Sequence, residues 1–235
     1  MRITRRVAVT LSLALAALSA GAPPVAAGAQ PESPHVWISH GIPDATVEVC
    51  IDGVAVRKVF NYGRSFRYDL EDGRHLIQAR ARSGGDCTGE LIARASVVMS
   101  GSKSVSILFA LESGKPVTMK WVNFREGYVG PADPIYLQVT HAAKAPRVDV
   151  WAAAINEYPT AGPVALGLGR GETTLPLPGD GGLYILAALA SATGNPVIQP
   201  QVATFLSNHS YQVIVIGTKA ENYRTIIYSD TFVYP

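Results

Sequence analysis

One pattern occurs twice in this chain, 101 residues apart, and it limits the folds available more than any other feature. Residues 40–50 read His40-Gly41-Ile42-Pro43-Asp44-Ala45-Thr46-Val47-Glu48-Val49-Cys50. Residues 141–151 read His141-Ala142-Ala143-Lys144-Ala145-Pro146-Arg147-Val148-Asp149-Val150-Trp151. His falls on His, Val on Val and an acid on an acid. A self-match at this distance means two similar modules in tandem. A residue kept in both halves is explained more readily by folding than by a single active site.

About 100 residues per module suits an all-β sandwich. In the first module Val36–His40 is a β-prone run, and Thr46–Ile51 alternates apolar and polar residues with the period of a half-buried strand. Asp52-Gly53 is a turn dipeptide. Strands are predicted at Val54–Val56, Ser65–Leu70, His75–Ala81, Leu91–Met99 and Ser104–Leu111, with Ser100–Lys103 as a hairpin loop between the last two. The second module predicts strands at Ile135–Thr140, Arg147–Ala152, Gly171–Leu177, Leu183–Ala190, Val197–Phe205, Tyr211–Gly217, Arg224–Tyr228 and Asp230–Tyr234. Leu183–Ala190 has a helix-compatible composition. It reads as a strand because its counterpart after the same Asp-Gly turn, Leu76–Ala81, is too short for a helix.

The N-terminus has the layout of a secretory signal. Arg2, Arg5 and Arg6 precede an uncharged apolar run from Val7 to Ala20, and Ala27-Gly28-Ala29 offers small residues for cleavage before Gln30. The boundaries expected are a signal peptide at 1–29, modules at 30–125 and 135–235, and a linker at 126–134 whose two prolines stiffen it. Cleavage would take Lys+Arg from 20 to 17 against 18 acids. No basic patch then argues for nucleic acid, and no later apolar run is long enough to span a bilayer. In an exported chain the cysteines, Cys50 and Cys87, read as a disulfide. Closing that loop contributes about 3–4 kcal/mol by loop-closure entropy.

The opening of each module resembles the repeat of the bacterial exported family catalogued as "domain of unknown function 4397". The second module carries the pattern in His141-Ala142, Ala145-Pro146 and Val148-Asp149-Val150-Trp151. The first carries His40-Gly41-Ile42-Pro43-Asp44-Ala45 and Val47-Glu48-Val49-Cys50, with Glu for Asp and Cys for the aromatic. Val59-Phe60-Asn61-Tyr62-Gly63 and Leu166-Gly167-Leu168-Gly169 resemble the family's middle. The resemblance implies two tandem Ig-like antiparallel β-sandwiches, bacterial and exported; with the signal peptide, the location expected is secreted and extracellular or the cell envelope. It implies no activity and no catalytic residues.

No residue pattern here supplies a catalytic set, a metal set or a cofactor site. His40 and His141 lack partners at ligand spacing and read as rings bonding backbone at a strand end. Glu48 and Asp149 read as solvated strand acids on outer faces. Ser100-Gly101-Ser102-Lys103 matches S-x-x-K, but in a loop and without K-T-G. Phe60, Tyr62, Phe66 and Tyr68, interleaved with Asn61, Arg64 and Arg67, form a candidate binding face if exposed, and core if not. The function expected is an exported, non-catalytic module binding a protein or glycan at the cell surface or outside the cell. The alternatives are an envelope-polymer hydrolase with a site between the modules, and a structural spacer.

Overall fold

The computed structural model describes residues 33–101, 104–112, 115–120, 134–158, 160–175, 177–220 and 222–231. The expected signal peptide, most of the linker including Tyr128, and Phe232 and Tyr234 lie outside the described residues. Pro31–Pro235 form one compact unit.

The described residues are all-β. Module 1 consists of β1 (His35–Gly41), β2 (Thr46–Ile51), β3 (Val54–Asn61), β4 (Ser65–Asp69), β5 (Gly73–Ala81), β6 (Leu91–Met99), β7 (Ser104–Glu112) and β8 (Lys115–Lys120). Module 2 consists of β9 (Pro134–His141), β10 (Val148–Ala154), β11 (Ala165–Leu168), β12 (Leu177–Asp180), β13 (Gly182–Ala190), β14 (Pro196–Phe205), β15 (His209–Ile216) and β16 (Arg224–Thr231). Each module is two four-stranded sheets, in the orders β4-β1-β7-β8 and β3-β2-β5-β6, then β12-β9-β15-β16 and β11-β10-β13-β14. The ladders are antiparallel except one per module: β1 runs parallel to β7, and β9 runs parallel to β15.

Alternation decides which side chains of each strand enter the sandwich cores. Val47, Val49 and Ile51 of β2 meet Val36 and Ile38 of β1 and Val105, Ile107 and Phe109 of β7 in the first core. Val148 and Val150 of β10 meet Leu137, Val139, Val213 and Val215 in the second. Each such side chain contributes about 1.5–3 kcal/mol when fully buried.

The other faces of β7 and β15 are buried too. Leu108, Ala110, Ile214, Ile216, Ile226 and Tyr228 form a third core, flanked by Trp37 and Tyr62. This cluster packs the β4-β1-β7-β8 sheet of module 1 against the β12-β9-β15-β16 sheet of module 2. Trp37 stacks on Tyr228 with ring centroids 4.7 Å apart, and the Tyr228 hydroxyl hydrogen-bonds the buried Ser106 hydroxyl. Burial pushes the Tyr228 phenol well above its ordinary pKa. Gly217 ends β15 with φ +97°, and a Cβ there would come within 2.6 Å of the Tyr62 hydroxyl. The two modules therefore meet along apolar sheet faces.

Several elements differ from the sequence expectation. Gly171–Leu177 is no strand: it makes one isolated bridge, Thr140 to Thr173, and the ladder to β9 begins at Leu177. Ser100–Lys103 does not close a hairpin, because β6 pairs with β5 while β7 crosses to the opposite sheet. The strand at Arg224 continues to Thr231 without a break. The strands without a sequence signal, β8, β11 and β12, are sheet edges carrying Pro116, Gly167, Pro178 and Gly179. Proline and glycine are tolerated at edges, where a missing N–H or side chain costs little.

Candidate functional site

The paired histidines hold the repeat together. His40 accepts from the Ile42 N–H at Nδ1 (3.2 Å) and donates from Nε2 to the Ala45 carbonyl (3.1 Å). His141 Nε2 donates to the Pro146 carbonyl at 3.0 Å, again five residues on. Their backbones are pinned alike. The Gly63 N–H donates to the His40 carbonyl and the Gly171 N–H to the His141 carbonyl, both from glycines with positive φ. Burial lowers the His40 pKa to about 4 and lowers that of His141. Both rings are buried turn anchors that bond backbone, as the strand-end reading expected.

Glu48 and Asp149 correct the expectation of solvated acids. Glu48 is fully buried, accepting from the Ser83 hydroxyl (2.6 Å) and the Gly85 N–H (2.9 Å). The Ser83 bond leads the effects that hold its carboxyl below the usual range. Asp149 accepts from the Ser191 hydroxyl (2.6 Å) and the Gly167 N–H (2.8 Å). Ser83 and Ser191 each follow the strand that pairs with the acid's own strand. Both acids thus anchor the connection that leaves their partner strand. In module 1 that connection also carries Cys87, disulfide-bonded to Cys50 with Cα atoms 6.1 Å apart. Glu48 lies within 4.8 Å of the two sulfurs, but a disulfide offers a metal no thiolate. Trp151 stands where Cys50 stands in module 1.

The four aromatics do not share one exposed face. Phe60 lies in the first core and Phe66 packs on it edge-on, with centroids 5.0 Å apart. Tyr62 flanks the third core, between the modules. Tyr68 is 37% exposed. The side chains of His40, His141, Glu48 and Asp149 bond their own turns and connections, and the facing sheets of the two modules are joined by apolar side chains.

Concave surface of mixed polar and apolar lining occurs elsewhere. Pro196–Gln201 of β14 and Lys219 with Asn222–Thr225 wall an open groove of about 570 Å³ in module 2. The first wall exists because β14 is a sheet edge that bulges. Leu186 pairs with Gln201 but Ala188 with Ile198, so one extra residue is inserted at Gln199-Pro200. Such bulges bend an edge strand and re-aim its side chains. Gln201 Nε2 donates to Thr225 Oγ1 at 2.8 Å and stitches the walls together. Tyr223, half-buried against the second core, donates from its hydroxyl to the Lys144 carbonyl (3.3 Å). The Arg224 guanidinium lies 5.5 Å from the ring centroid of Tyr62, which belongs to module 1. Of these residues only Tyr62 belongs to the candidate face read from the sequence. The available signal was two prolines and two glutamines within a strand pattern, Pro196 to Gln201.

Among the described residues no helix is long and apolar enough to cross a membrane. No family model matches the chain. No curated protein matches it. Similar solved structures include a "putative cell adhesion protein" from Bacteroides uniformis ATCC 8492, 10% identical, covering 85% of this chain and 98% of that one, with TM-score 0.29. Another is CBMbc, family CBM26, from Eubacterium rectale Amy13K in complex with maltoheptaose, 11% identical, covering 86% and 98%, with TM-score 0.26. A protein of the first description from Bacteroides ovatus ATCC 8483 is 9% identical over 87% and 99%, with TM-score 0.26. At TM-scores this low the likenesses carry no argument about this chain.

Proposed function

We propose that this is an exported, non-catalytic binding protein of two tandem repeats, akin to those of domain of unknown function 4397, that takes its ligand in the groove between Pro196–Gln201 on one side and Lys219 with Asn222–Thr225 on the other. The groove carries this reading. It is open, lined by amides, hydroxyls, cations and an aromatic, and built on a bulged strand edge. Ligand sites are concave surfaces with a few convergent polar groups. Export is supported by the charged, apolar and small-residue order of residues 1–29 and by the disulfide, which belongs to an oxidising compartment. The absence of catalytic function is supported by the engagement of His40, His141, Glu48 and Asp149 with their own turns and connections.

Co-sedimentation of the protein from Gln30 onward with envelopes of its host tests this. Retention is expected, and Gln199→Trp, which fills the groove from an exposed edge position, is expected to abolish it. Retention unchanged by Gln199→Trp would place binding elsewhere and overturn the reading.

A further inference from the structure

Resting on that reading, we infer that the groove takes an anionic glycan, and that Tyr62 of the first module positions Arg224 to receive its charge. Three observations converge on this. First, the described lining carries two cations, Lys219 and Arg224, and no carboxylate; Glu221 of the same connection lies outside the described residues. Both cations are exposed to solvent.

Second, the remaining lining suits sugar. Gln199, Gln201, Asn222 and Thr225 supply amide and hydroxyl groups that match ring hydroxyls as donor and acceptor, and Tyr223 supplies a flat ring. An acidic peptide fits less well. Peptides add to a sheet edge through main-chain hydrogen bonds, and Pro196 and Pro200 remove two N–H donors from this edge.

Third, Arg224 is held by the other module. Its guanidinium sits over the Tyr62 ring, and Tyr62 is itself wedged at the third core beside Gly217. A long cationic side chain stacked on a ring loses less freedom when it binds an anion. This gives the tandem arrangement a function: the first module completes a site carried by the second.

Titration calorimetry of the two-module chain with oligogalacturonate, a neutral maltooligosaccharide of equal length and poly-glutamate tests the inference. Oligogalacturonate is expected to bind most tightly and to weaken with added salt. Lys219→Glu and Arg224→Gln are each expected to weaken it about two- to five-fold, the scale of an exposed ion pair. Tyr62→Leu is expected to match Arg224→Gln without adding to it, while Tyr62→Phe, which keeps the ring, retains wild-type affinity. Equal binding of the neutral sugar, indifferent to Lys219→Glu but lost in Gln199→Trp, would overturn the anionic inference and leave the groove standing. Preference for poly-glutamate would overturn the glycan class. No binding of any probe, or binding indifferent to Gln199→Trp, would overturn inference and groove together.

Discussion

Truncating Tyr228 tests whether the two modules are one packed body in solution. Its side chain comes from the last described strand of module 2 yet stacks on Trp37 of the first strand of module 1, centroids 4.7 Å apart and planes 18° from parallel. It is 7% exposed. Truncating a buried aromatic to alanine costs about 3–5 kcal/mol. Tyr228→Phe isolates the hydroxyl, stranding the buried Ser106, and costs about 1–3 kcal/mol. The Trp37–Tyr228 coupling, from a cycle of Trp37→Ala, Tyr228→Ala and the double variant, is expected at about 0.5–1.5 kcal/mol. Urea unfolding followed by circular dichroism measures all three. One cooperative transition is expected for the wild type, because the third core joins the sheets. Zero coupling, or a Tyr228→Ala effect confined to a separate transition of one module, would refute the packing.

Three further outcomes follow from the geometry. Cys50→Ala with Cys87→Ala opens a loop of 37-residue separation and is expected to lower unfolding free energy by about 4 kcal/mol, read by the urea midpoint. His40 has a folded pKa near 4 against 6.5 in the unfolded chain, so it stabilises above pH 6.5 and that stability is lost as pH falls toward 4. The loss is expected at about 3 kcal/mol, and His40→Gln should flatten stability measured across that window, because protonating Nδ1 breaks the bond from the Ile42 N–H. Gly217→Ala is expected to destabilise by about 1–3 kcal/mol in thermal unfolding, since the backbone there is left-handed and the new Cβ meets Tyr62.

The repeat and the pairing of acids with strands could be read from the sequence because they are local. The His40 and His141 turns span five residues, within reach of pattern alone. The role of Glu48 and Asp149 could not be read, because Ser83 and Ser191 follow strands that pair with β2 and β10 only in three dimensions. Alternation correctly located β2 but mistook its outer face for solvent, as nothing in the pattern shows a disulfide-bound connection folding over it. The contact between modules left a signal that the period-2 reading passed over: Val105–Ala110 and Tyr211–Ile216 are nearly continuous apolar runs, the mark of strands buried on both faces. The groove left almost none. It depends on a bulge at Gln199-Pro200, and a bulge is a fact of register between two strands.

The most direct test of the binding account is a backbone amide chemical-shift map of the isotope-labelled two-module protein titrated with oligogalacturonate. The largest shifts are expected at Gln199, Gln201, Lys219 and Asn222–Thr225, with Tyr62 responding in the first module. Shifts centred on Tyr68 or on the outer face around Trp151, or none at saturating ligand, would contradict it.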